Sequence, residues 1–281
     1  MYKETNRAKE IIALQDKNGA WGYFHSLSEP SKYPITTEQA MRRLCFLGYT
    51  IDDEVIQRAV QYMSDCLLGK NQIPDRREKL HDWDIFTTMM LSTWIRKFTR
   101  QNKQANKTAE SWAKIITSAF ADRTYNHEEY VNTYIEILGI KPKGSRFVDF
   151  VSFYQVSLIA DNLNAKTESA VFDYILNRKS GIYYVYDMPL NMPPSVFKSK
   201  QASRYMGAVE LLSSYKNNLH KLKFVSDWLL NNQSENAWDM GAAANDGVYF
   251  PLSDSWRRTD TRKMDCTYRI QKIVDSLNTT V

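Results

Sequence analysis

Cysteine is scarce in this chain, three in 281 residues, at positions 45, 66 and 266. They stand too far apart to read as a disulfide framework and cannot all pair, which fits reduced thiols in a reducing compartment. The four histidines, His25, His81, His127 and His220, are scattered, with neither paired-cysteine nor HExxH spacing, so the sequence offers no zinc set. No apolar run approaches the roughly 20 residues of a membrane span, and the stretch 1–10 is charged rather than signal-like. Phosphate-cradling glycine loops, the dinucleotide fingerprint and the nucleophile elbow are all missing. Together these absences predict a cytoplasmic chain without a transmembrane segment, a bound metal or another cofactor.

What the chain has is aromatic and apolar residues in helical register. Hydrophobic residues make up 43% and aromatics 13%, enough to bury a substantial core rather than remain disordered. Over 52–68 the residues Val55, Ile56, Ala59, Val60, Met63, Cys66 and Leu67 form one apolar stripe, the pattern of a helix packed on one side. Over 82–98 and 146–163 almost no polar face is left, as expected of helices enclosed by others. The two kinds alternate. The enclosed set is 37–49, 82–98, 146–163, 200–215 and 263–277, and the half-exposed set is 52–68, 104–121, 167–177 and 219–231. The segment 4–14 pairs with the last enclosed helix, and 127–138 is an additional helix. Nothing marks a domain boundary, so residues 1–281 read as one all-α domain.

A short motif sits between the first two helices. Gln15, Gly19 and Trp21 combine a side chain able to bond free backbone groups, a residue permissive of a tight turn and a large flat apolar face. The offsets return as Asn177, Gly181 and Tyr183, and again as Asn232, Asn236 and Trp238, where asparagine tolerates the left-handed backbone in place of glycine. The second and third copies are 55 residues apart, one helical hairpin with a generous loop. This spelling resembles the QW repeat of the terpenoid-cyclase and protein-prenyltransferase superfamily. The resemblance implies an α/α toroid of five to six helical hairpins, with an inner ring of parallel helices wrapped by an antiparallel outer ring. It also implies an apolar central cavity suited to an elongated, isoprenoid-like ligand. An open superhelical solenoid is the structural alternative, since period alone does not show closure.

Candidate chemistry lies in two places. His81-Asp82-Trp83-Asp84 opens an enclosed helix. Class II cyclases carry a DxDD motif on an inner helix, whose middle Asp protonates an alkene or epoxide, and Asp82 and Asp84 fall on its first two acidic positions, with Ile85 in place of the last. Such an acid needs burial and a neighbouring carboxylate to raise its pKa. The alternative makes Asp82 a helix cap and Asp84 a first-turn dipole partner. The second place is the mouth where inner-helix amino termini would gather and favour an anionic head group. The candidate ligand contacts are Arg76, Arg77, Tyr154, Arg204, Trp256, Arg257 and Asp265. The rim basics are balanced locally by Asp75, Glu78, Asp254 and Asp260 without a binding motif, which argues against nucleic acid. Asp265-Cys266 matches the first two zinc ligands of prenyltransferase β subunits only faintly, and no His follows. The functional expectation is a toroid binding an apolar small molecule, with an Asp-initiated cyclase or prenyl-transfer enzyme, and a protein-interaction scaffold, as alternatives. Oligomeric state is left open.

Overall fold

The computed structural model describes residues 2–25, 34–246 and 250–278; the side chains of residues 145 and 146 lie outside that description. Among the described residues the chain is helical, and backbone pairing beyond the helices is confined to isolated bridges such as Ile182 with Tyr186 and Ser234 with Ala237. The α-helices are α1 (Asn6–Ala13), α2 (Thr37–Phe46), α3 (Glu54–Leu67), α4 (Trp83–Phe98), α5 (Lys103–Ala119), α6 (His127–Leu138), α7 (Ser145–Val148), α8 (Phe153–Ile159), α9 (Ala165–Asn177), α10 (Lys200–Leu212), α11 (Lys223–Asn231) and α12 (Thr259–Asn278). None of the described helices is long and apolar enough to cross a membrane. The chain divides into two compact units, residues 1–111 and 112–281, with the boundary inside α5.

In the first unit side-chain caps set the starts of α1 and α2. The Thr5 hydroxyl accepts from the Ala8 N–H at the head of α1, and Thr36 forms a reciprocal capping box with Gln39 at the head of α2. α3 buries Val55, Ile56, Ala59, Val60, Tyr62 and Met63 while Gln57, Arg58 and Gln61 face water, and it packs on α4. α4 is enclosed: every residue from Met89 to Arg96 is buried. The buried Glu38 on α2 accepts from the Trp94 indole at 3.1 Å, and Arg42 stands 3.6 Å from the same carboxylate, so a charge in this interior is neutralised by pairing.

The second unit is built around aromatic rings. Trp112 stacks on Phe147 at 6.0 Å and meets Tyr134 edge-on at 5.8 Å. Phe150 stacks on Tyr174 at 5.8 Å, with Tyr125 and Phe120 against the same pair. The continuous helix expected over 146–163 is two pieces, α7 and α8. Asp149 interrupts it by accepting the Val151 N–H at 3.1 Å and pairing with Arg178, and Val151 takes a backbone hydrogen bond from Tyr183. The apolar run there is an extended segment clamped from two sides. The helix expected over 219–231 likewise opens as a 3₁₀ turn, Lys216–Leu222, before α11.

The first and third motif copies form one device. The Trp21 indole donates to the Ile11 carbonyl at 2.7 Å and its backbone N–H donates to the Thr37 hydroxyl at 2.9 Å. In the second unit the Trp238 indole donates to Leu229 at 2.7 Å and its N–H to the Thr267 hydroxyl at 3.0 Å. Each Trp thus ties the last turn of the preceding helix to the following one. Asn236 stands at φ 59°, in the left-handed region occupied by Gly19 at 94°. The Gln15 amide adds a bridge from Gly19 to Val55, at 2.9 Å each. The middle copy differs: Tyr183 is exposed and its neighbour Ile182 is the buried side chain.

Candidate functional site

At the head of α4 the three sequence-predicted catalytic residues diverge. Asp82 caps the helix, its Oδ1 accepting the Ile85 N–H at 2.9 Å. The Asp84 side chain is 75% exposed and pairs with Arg77 at 3.0 Å across solvent-facing surface. His81 is buried, edge-on to Phe86 at 4.7 Å, with Nδ1 3.5 Å from Glu78. A proton donor of the DxDD kind needs a carboxyl removed from water, and the burial at this helix start falls on the imidazole instead.

The predicted ligand contacts separate into groups. Arg76 and Arg257 are exposed, and Arg204 pairs with Asp246 at 3.2 Å. Tyr154 is buried, edge-on to Phe153 at 5.3 Å and stacked on Tyr184 at 6.1 Å. Trp256 and Asp265 meet.

Asp265 is fully buried near the start of α12. Its Oδ2 accepts four hydrogen bonds: from the Leu252 N–H at 2.9 Å, the Ser253 N–H at 3.0 Å, the Ser253 hydroxyl at 2.7 Å and the Trp256 indole at 2.8 Å. Its Oδ1 is buried and has no hydrogen-bond partner among the described residues. One turn on, Arg269 lies on the same helix face and donates to both Glu210 oxygens from Nη2, at 3.1 and 3.0 Å, with its guanidinium 5.7 Å from the Phe250 ring. Arg262 holds the other side of the loop, bonding both Asp239 oxygens at 2.5 and 2.9 Å and the Trp256 carbonyl at 3.1 Å. Those hydrogen bonds hold the Asp239 carboxyl below its usual range. Between the two pairs, burial pushes the Cys266 thiol up to about 11.

Chemically, this node fixes loop 250–256 on α12 through one carboxylate oxygen and leaves the other able to accept one more donor. Asp265 and Trp256 were singled out in the sequence, but Glu210, Ser253 and Arg269 were not. The four-residue spacing of Asp265 and Arg269 on an otherwise apolar face was the available signal. Glu210 had none, because its partner lies 59 positions away. Among the described residues, no three His, Cys, Asp or Glu side chains are placed to hold a metal ion. No family model, curated protein or solved structure matches this chain.

Proposed function

We propose that this chain is an α/α toroid of the terpenoid-cyclase and prenyltransferase kind, a single domain over residues 1–281, which binds an elongated apolar, isoprenoid-like ligand in the cavity such a ring encloses. On this reading it is a cytoplasmic binder rather than a catalyst. The observation that carries it is the repeated Trp device. Trp21 and Trp238 make the same two hydrogen bonds, to the helix before and to a threonine on the helix after, which is what a hairpin repeat of that superfamily would require of its motif.

The proposed contacts are Tyr154, Trp256 and Asp265 for the ligand body, and Arg76, Arg77, Arg204 and Arg257 for an anionic end. Asp84, Asp82 and His81 enter only in the alternative, a cyclase started by Asp84. The exposure of Asp84 supports the binder.

Native mass spectrometry with farnesol, geranylgeraniol and their diphosphates tests this. Saturable one-to-one complexes, with the substrate recovered unchanged after incubation, are expected. Cyclised product that disappears in Asp84→Asn would establish the enzyme instead, and a lack of saturable complexes with all four compounds would sink both.

A further inference from the structure

The segment following the middle motif copy is ordered, yet it displays apolar side chains outward. Tyr183, Met188, Met192 and Val196 are all exposed, at 49, 48, 68 and 58%. Between them Val185, Tyr186, Leu190, Pro194 and Phe197 are buried. These anchors have named partners: Tyr186 meets the Tyr205 ring at 5.4 Å, the Tyr205 hydroxyl donates to the Leu190 carbonyl at 3.1 Å, and Phe197 meets Trp228 at 5.2 Å. Pro193 and Pro194 further restrict the backbone beside Met192. The outward residues are therefore held out by a fixed backbone, so little ordering entropy remains to be lost on insertion.

The charge carried by this segment is mostly positive. From 179 to 204 the chain carries Lys179, Lys198, Lys200 and Arg204 against the single acid Asp187; among the described residues Arg204 pairs with Asp246, and Lys198 acts on Asp239 without an ion pair between them. Lys179, Lys198 and Lys200 are exposed at the two ends of the apolar stretch.

We propose that loop 183–199 seats this protein on an anionic lipid bilayer, with Met188, Met192 and Val196 entering the interface, Tyr183 at head-group level and the three lysines facing anionic head groups. Apolar side chains flanked by cations are what such a surface selects, the apolar area giving depth and the lysines a salt-dependent attraction. A protein partner would need a complementary, contiguous face. Here Asn191 and Ser195 are exposed between the apolar residues, which a fluid interface accommodates. The inference is independent of what the interior binds.

Co-sedimentation of the full chain with vesicles of phosphatidylcholine, alone or mixed with phosphatidylglycerol, is the test. Binding to the mixed vesicles that weakens in high salt is expected. The variant Met188→Ser/Met192→Ser/Val196→Ser changes only exposed positions and should lower that partitioning by about tenfold or more. Lys198→Gln/Lys200→Gln should remove most of the salt dependence. In Met192→Trp, the added fluorescence should shift to the blue on mixed vesicles and be quenched by brominated acyl chains. Equal sedimentation with neutral and anionic vesicles, or an unchanged triple serine variant, would overturn the proposal. So would self-association without lipid that the triple variant abolishes, since it would make the loop a protein interface.

Discussion

Gly19 lies so close to the Arg58 carbonyl that a Cβ at this position would stand 2.3 Å from the oxygen. The backbone there is also left-handed, at φ 94°. Gly48 has the same φ with open space around it, so the pair separates conformational strain from steric exclusion. Gly48→Ala should cost about 1 kcal/mol, whereas Gly19→Ala should cost roughly 3 kcal/mol or more because α3 must move away. Urea midpoints measure both, and equal losses would show that the close approach is unimportant.

The Trp ties make a prediction that distinguishes the hydrogen bond from the bulk. Trp238→Phe keeps most of the buried ring but leaves the Leu229 carbonyl without its donor, and should cost about 1 to 2 kcal/mol. Trp238→Ala also opens a cavity and should cost about 3 to 5 kcal/mol. Trp21 should show the same ordering with Phe and Ala. Thermal or denaturant unfolding that does not distinguish Phe from Ala would mean that packing contributes little at these sites.

Two aspartates should respond to the same change by very different amounts. Asp84→Asn loses one exposed ion pair and a first-turn charge, an effect of about 0.5 kcal/mol. Asp265→Asn places an amide where four donors converge on buried oxygen, and should cost about 3 kcal/mol. Differential scanning calorimetry of the two variants side by side checks the contrast.

Acid should loosen the Asp239–Arg262 clamp. The Arg262 hydrogen bonds lower the folded-state pKa of Asp239, so its contribution is complete above the unfolded value of roughly 3.9 and is lost as pH falls from there through the lower folded value. Asp239→Asn should therefore weaken stability near neutral pH and flatten its acid dependence. A variant whose stability falls with acid as steeply as the parent would contradict this.

The Cys266 thiol, fully buried and pushed up to about 11, should resist thiol reagents at neutral pH until the protein unfolds. Mass mapping of alkylated peptides, with and without urea, tests it. Labelling of Cys266 at the same rate in both conditions would show that α12 opens readily.

Much of the helical order was legible in the sequence because burial follows a period of 3.6 residues. The extra helix over 127–138 has those bounds in the structure, and the enclosed character of α4 follows from its missing polar face. The left-handed turn at Asn236 was legible from residue type. The break between α7 and α8 was not, because Arg178 and Tyr183, which hold the extended segment in place, lie about 30 positions downstream of it. The capping role of Asp82 was legible, as the alternative to the DxDD reading, because its partner Ile85 lies only three residues on. Asp265 could be singled out, but its four donors come from a loop whose path depends on tertiary contacts.

The first Trp tie closes over a shorter span of chain than the second. The first needs nothing beyond Thr37, and the second joins Leu229 to Thr267. Loop-closure cost grows only slowly with span, so the corner between α1 and α2 can close before the later helices exist. Synthesis order then works with assembly order at that corner.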